Sequence, residues 1–158
     1  MKQQKTNVMR LLDAAKIQYE AHYYDVSDNR TDGVSVANKV GQDPVTVYKT
    51  LVTVGQSGGL FVFVIPVEKE LNLKKAAAAV GEKNIAMIPQ KDLLPKTGYV
   101  HGGCSPIGLK KPYPVTVDQS ALALPKMVFS GGKVGTQVCV APQDLLKMVN
   151  AKTADITN

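Results

Sequence analysis

The first apolar positions recur at helical spacing. Val8, Leu11, Leu12 and Ala15 stand at i, i+3, i+4 and i+7, with Thr6 or Asn7 available as N-cap, and predict an amphipathic helix over 7–16. From Ile17 to Tyr24 the spacing changes to alternation. Ile17, Tyr19, Ala21 and Tyr23 oppose Gln18, Glu20, His22 and Tyr24, which predicts a strand with one wet or functional face. The polar, turn-forming segment Asp25–Gly33 predicts a loop, Val34–Val40 a short helix closed by Gly41, and Asp43-Pro44 a further helix start with Pro44 in its first turn.

Val47–Val54 and Leu60–Ile65 then predict two strands joined by Gly55–Gly59, the second apolar on both faces and therefore central. Asn72, Leu73–Val80 and Gly81 read as cap, helix and C-terminal glycine. Asn84–Ile88 predicts a short strand, and Gln90–Leu94 one helical turn ended by Pro95. Val115–Val117 predicts a strand followed by a short helix from Asp118. Lys126–Phe129 and Thr136–Val140 predict a hairpin across the glycine-rich turn Ser130–Gly135. Pro142 opens a last helix through Val149, and the tail after Asn150 is expected to fray or dock loosely. Strands and helices mix without regular βαβ alternation, so the expected architecture is α+β, a single domain over 1–158 around a mixed β-sheet with flanking helices.

Composition narrows the class. A chain of 158 residues, 44% apolar and 20% charged, suits one globular domain. No apolar run approaches the roughly 18 residues that a membrane span needs, so no membrane is expected. The charged start Met1–Lys5 leads into an amphipathic stretch rather than a continuous apolar one, which argues against a secretory signal and for a cytoplasmic protein. Cys104 and Cys139 are then expected as free thiols. A net charge of +6 favours an anionic partner, but the lysines are scattered, with only Lys74-Lys75 and Lys110-Lys111 adjacent.

Candidate chemistry concentrates at Gly102-Gly103-Cys104-Ser105-Pro106-Ile107-Gly108. So much glycine and proline suits exposed backbone, either as a tight turn or as N–H groups aimed at a bound carbonyl or phosphate. Neither this stretch nor Ser130–Thr136 keeps a nucleotide-binding spacing. Pro106 interrupts the helix that a dinucleotide fingerprint needs, and a phosphate loop ending in Gly132-Lys133 would need glycine at Met127 and Ser or Thr at Val134. The cysteines and histidines lack paired metal spacing, so no metal is expected. A Cys104 nucleophile paired with His22 or His101 stays open at this level. Lys49 shares a strand side with Val47, Leu51 and Thr53, and either snorkels to solvent or holds an anion or carbonyl in a pocket.

Val47-Tyr48-Lys49-Thr50-Leu51-Val52, Leu71-Asn72-Leu73-Lys74-Lys75, Thr97 through Gly108 and Ser130-Gly131-Gly132-Lys133 occur together in order. Over nearly the whole chain this resembles the YbaK/EbsC family of aminoacyl-tRNA deacylases, related to the editing domain inserted in bacterial prolyl-tRNA synthetases. The resemblance implies that family's fold and hydrolysis of the ester joining cysteine wrongly to the 3′ end of proline tRNA, beside prolyl-tRNA synthetase and without cofactor or metal. It makes Lys49 the functional lysine. It also assigns substrate contacts to Tyr24, Thr50, Gly102, Gly103, Cys104, Ser105, Pro106, Gly108, Ser130, Gly131 and Gly132. Members of the family let the substrate's own thiol attack its ester, and Cys104 is then a loop residue rather than the nucleophile. Asp32 stands where some members have an aromatic residue, and Gln137 where some have an acid, which leaves the pocket's amino-acid choice open. The alternatives are a deacylase for alanine or serine working by water attack, and a non-catalytic tRNA- or synthetase-binding module.

Overall fold

In the computed structural model, which describes residues 5–30 and 32–158, the Thr6 hydroxyl accepts the Met9 N–H at 3.3 Å and opens α1 (Asn7–Ala14). The charged start Met1–Gln4 and Thr31 of the polar loop lie outside the described residues. The buried stripe of α1 is Val8, Met9 and Leu12, with Ala15 exposed, because the helix stops at Ala14 and Lys16 turns the chain at φ 59°. That turn also shortens the expected strand. β1 covers Glu20–Tyr23 only.

Asp32 caps α2 (Gly33–Lys39), and Pro44–Thr46 makes a single 3₁₀ turn rather than a full helix. β2 (Tyr48–Gly55) and β3 (Leu60–Pro66) pair antiparallel, followed by α3 (Leu73–Val80) behind its Asn72 cap and by β4 (Ile85–Met87). α4 (Gln90–Thr97) corrects the reading that Pro95 ends the helix. Proline forfeits the bond to the Lys91 carbonyl. Both residues are exposed, where solvent is at hand, and the last turn is closed by Thr97 Oγ1 donating to the Leu93 carbonyl (2.6 Å) and the Gly98 N–H to Leu94 (2.9 Å).

β5 (Val115–Asp118) leads through a 3₁₀ segment to the hairpin β6 (Met127–Lys133) and β7 (Thr136–Val140). Most of the expected turn at Ser130–Gly135 is strand. β6 continues to Lys133 across a bulge after Ser130, and the reversal itself needs only Val134 and Gly135, the latter at φ 95°. α5 (Pro142–Met148) follows, and β8 (Lys152–Ala154) adds in parallel to β5. This corrects the loosely docked tail. Ile156 is fully buried, its carbonyl accepts the Asn72 N–H (2.8 Å) and its N–H reaches Asp118 Oδ1 (3.3 Å).

The larger sheet has order β4-β2-β3-β5-β8 and is mixed; β1-β7-β6 forms a smaller antiparallel sheet. β3 is central, as its two-faced apolarity predicted, with Val62–Ile65 all buried. The main core lies between α1, the two sheets and α5, and includes Leu12, Tyr48, Val64, Phe129 and Leu145. A second core of Phe63, Ile65, Ala76, Ala77, Ile85 and Ile156 fills the space under α3. A parallel bridge between Val47 and Val128 joins the sheets, and between it and β4 the edge of β2 away from β3 has no neighbouring strand.

Candidate functional site

Along its outer edge β2 pairs with β4 at Thr53–Gly55 and touches β6 through Val47. Between these points Tyr48–Val52 face a cavity of ≈370 Å³. The Val52 carbonyl points to this edge, because it accepts the Ile88 N–H (3.0 Å). Backbone groups of a strand alternate between its two neighbours, so the N–H and C=O of Thr50 point to the same open edge, while the Tyr48 N–H faces β6 at the Val47–Val128 bridge. The cavity therefore has main-chain donors and acceptors along its floor before any side chain is counted.

Four further segments close it. Tyr24, Asp32, Gly33 and Val36 come from the end of β1 and from α2, Met87, Ile88, Gln90 and Leu93 from β4 and α4, His101, Gly102 and Cys104 from the glycine loop, and Ser130 and Gln137 from the small sheet. Gly33 has a packing reason to be glycine. A β-carbon there would lie 2.5 Å from Val67 Cβ, in the cavity wall.

The glycine loop is braced rather than free. The buried Tyr99 hydroxyl donates to the Ile107 carbonyl and closes the loop on itself, and burial pushes that phenol up to about 12. Ser105, fully buried, accepts the Ile107 N–H through its hydroxyl (3.3 Å). Gly108 packs against Tyr99, where a β-carbon would come within 2.8 Å of the hydroxyl. The Ser130 hydroxyl ties the loop to the small sheet, donating to the Gly103 carbonyl (2.9 Å) and accepting the Gly132 N–H (3.1 Å).

Of the residues singled out from the sequence, Lys49, Tyr24, Thr50, Gly102, Cys104 and Ser130 line the cavity together. The other six stand behind that surface. Gly103 spends its N–H on the Val100 carbonyl (3.0 Å), Ser105 and Gly108 brace the loop, Gly131 and Gly132 pack on Thr136 and Val8, and Pro106 faces a groove beyond Gly108. Asp32 and Gln137, the two departures from the family pattern, both reach the cavity. The wall from β4 and α4 escapes sequence reasoning, because nothing local in Met87–Leu93 marks it; pairing of β4 to the far end of β2 brings it there.

The polar groups fall into three kinds. Lys49 is half-buried, and none of the ion pairs among the described residues involves it. Thr50 Oγ1 and Gln137 Oε1 are buried in the wall without a hydrogen-bond partner, although Gln137 is only 7% exposed. Such groups cost free energy until a partner, water or ligand, reaches them. Asp32 accepts the Ser35 N–H as a helix cap (3.1 Å), and hydrogen bonding by the Ser35 side chain, together with that N–H, keeps its carboxyl below the usual range.

Cys104 is 8% exposed, and burial pushes its thiol up to about 12. A raised thiol pKa means the neutral form persists until the pH approaches that value, so no appreciable thiolate exists near neutrality. Alkylation of Cys104 by iodoacetamide at pH 8 is expected to run on the order of 10³-fold slower than that of a free thiol. A rate near that of an unfolded peptide, followed by mass spectrometry, would show an activated cysteine instead.

Residues 29–148 match the family described as the aminoacyl-tRNA editing domain. The chain is 42% identical over 155 residues, 98% of its length and 94% of the other's, to EbsC of Enterococcus faecalis, whose name carries the proposed activity Cys-tRNA(Pro)/Cys-tRNA(Cys) deacylase. Two solved structures share the fold. One is described as a proposed trans-editing enzyme for prolyl-tRNA synthetase (TM-score 0.81, 23% identity, covering 98% of this chain and 99% of that one). The other is a hypothetical protein (TM-score 0.88, 22% identity, covering 97% and 100%).

Proposed function

The chain belongs to the aminoacyl-tRNA editing domain family, and on that premise we propose that it is a deacylase clearing cysteine from mischarged proline tRNA, with the β2-edge cavity receiving the aminoacylated 3′ end. The observation that carries this reading is the cavity itself. One lysine without an ion pair, buried acceptors without partners and open strand backbone surround a space with no activated protein nucleophile. An aminoacyl ester supplies the missing donors through its ammonium and ribose hydroxyl groups. The need is physical: cysteine and proline are close in bulk, and a small apolar pocket separates such pairs by only about 1–3 kcal/mol.

Cys104 stays protonated and the Ser130 hydroxyl is spent on Gly103, so neither is set up to attack. As in the family this chain resembles, the nucleophile for cysteine is then its own thiol, with water as the competing nucleophile. Sulfur attacks the ester carbonyl carbon, the new S–C bond forms as the bond to the ribose oxygen breaks, and the thiol proton ends on that oxygen. Uncharged tRNA and a cyclic thioester leave, and water opens the thioester to cysteine. Lys49 supplies positive charge where the carbonyl oxygen or the leaving ribose oxygen becomes negative, in a site partly shielded from water. Glycine-loop backbone at Gly102 and the Thr50 N–H complete the polar surround. Editing of this kind takes place where tRNA is charged, in the cytoplasm beside prolyl-tRNA synthetase, and the scattered positive charge is compatible with a transient tRNA contact.

A panel of proline tRNA charged with cysteine, serine or alanine, assayed with and without the synthetase, tests the reading. Cysteine is expected to be released at least about 100-fold faster than serine, whose hydroxyl is a far weaker nucleophile. Faster release of alanine or serine would replace the thiol route by water attack. Salt-sensitive binding with no turnover of any member would leave a binding module.

A further inference from the structure

We propose that Lys39 is a positioning residue for the editing cavity: its ammonium fastens the Asp25–Arg30 loop, so that Tyr24 and Asp32 at the loop's two ends hold the separation that sets which aminoacyl group fits. The inference rests on the reading of the cavity as an aminoacyl site.

Lys39 is the last residue of α2, where a lysine ordinarily points to solvent past the helix end. This one does not. Its side chain is 20% exposed, and its ammonium lies 2.7 Å from the Asp25 carbonyl, 2.7 Å from Asp28 Oδ1 and 2.9 Å from the Arg30 carbonyl. Three acceptors match the three N–H donors that an ammonium has. The same nitrogen stands 6.0 Å from the centre of the Tyr24 ring, at the limit of a cation–π contact. The loop it gathers is built from consecutive side-chain turns. Asp25 receives the Ser27 N–H, Asp28 receives the Arg30 N–H, and Asn29 sits at φ 60°.

The connectivity gives this knot its consequence. Asp32 caps the start of α2 through Ser35 and Lys39 holds the loop from the helix's other end, so loop and helix form a ring closed at both ends of α2. Both ends of the loop reach the cavity, through Tyr24 and Asp32. Tyr24 is anchored on its far side by its N–H to the Gly135 carbonyl (3.0 Å), so slack in the loop would pass into the wall facing the ligand. A polar loop that must also present two wall residues needs such a fastening, because packing offers little: Asp25–Arg30 are all exposed.

The test compares Lys39→Met, which keeps the stem and removes the charge and donors, with Lys39→Arg, which keeps both. The readout is the ratio of kcat/KM for cysteine over alanine on proline tRNA. Lys39→Met is expected to lower kcat/KM for cysteine about tenfold, mainly through KM, and to shrink the ratio at least fivefold, with Lys39→Arg recovering most of both. Asp28→Asn, which removes one acceptor's charge, should fall between. A variant that merely lowers the folded fraction slows all substrates equally, so an unchanged ratio in Lys39→Met overturns the proposal even if its rate falls. If Lys39→Met does not fold, Asp28→Asn decides the matter: an unchanged ratio there overturns the proposal. Absence of turnover of any charged tRNA by the wild-type protein would instead sink the deacylase reading, and this inference with it.

Discussion

Lys49→Ala is expected to lower kcat/KM for release of cysteine from proline tRNA by about 10²–10³-fold, the range seen when one preorganised charge or donor is removed from a developing oxyanion. Its melting temperature should stay within a few degrees of the wild type, because Lys49 is half-buried at the open edge of β2 and is absent from the ion pairs of the described residues. Lys49→Arg should recover only part of the loss. The guanidinium is broader and more diffuse in charge than an ammonium at the same point in a confined cavity. Full deacylation by a folded Lys49→Ala protein would remove the lysine from the mechanism and leave the strand backbone and the glycine loop to account for it.

The largest effect on stability is expected at the opposite end of the chain. Ile156→Ala should cost about 2–5 kcal/mol in urea unfolding, the usual range for deleting a fully buried isoleucine side chain. Ile156 is 0% exposed and packs with Phe63, Ile65, Ala76, Ala77 and Ile85 under α3. Its main chain is bonded to Asn72 and Asp118, and the adjoining Asp155 and Thr157 both receive the Lys75 ammonium (3.0 and 2.9 Å). A change below about 0.5 kcal/mol, typical of surface sites, would mean that the tail docks without contributing. Cysteine release should survive in whatever fraction of Ile156→Ala remains folded, because Tyr48, Thr50 and Val52 face the other side of β2 and this core meets the cavity wall through Leu51, not through Ile156 itself.

The two variants mark where sequence reading succeeds and where it stops. Lys49 is conspicuous because a charge on the apolar side of a Val- and Thr-rich strand needs a reason, and the order of motifs around it supplies one. Ile156 is invisible. A single isoleucine among Ala154, Asp155 and Thr157 has no periodicity, and the tail is held only because Lys152–Ala154 join the free edge of β5 and Thr157 bridges to Leu71. Pro95 misleads for a related reason. Its local preference against helix is real, but exposure of the Lys91 carbonyl and the bonds closing the last turn make the cost tolerable.

Local chemistry by itself narrowed the first cap to Thr6 or Asn7, marked the cap at Asn72, and determined the two-faced burial of β3, the hairpin of β2 with β3 and the α+β class, because each follows from residues a few positions apart. It also marked Lys49 and the stretch Gly102–Gly108 as unusual. Tertiary structure alone decided that Cys104 and Gly102 face the cavity while Ser105, Gly108 and Gly132 brace the wall, that Met87–Leu93 completes it, and that Lys39 reaches back to the loop before its own helix. The cavity exists because β4 and β6 each meet the outer edge of β2 and leave that edge open between them, while β3 pairs the other edge. That gap is a property of how three distant strands meet, and no pattern along one of them encodes it.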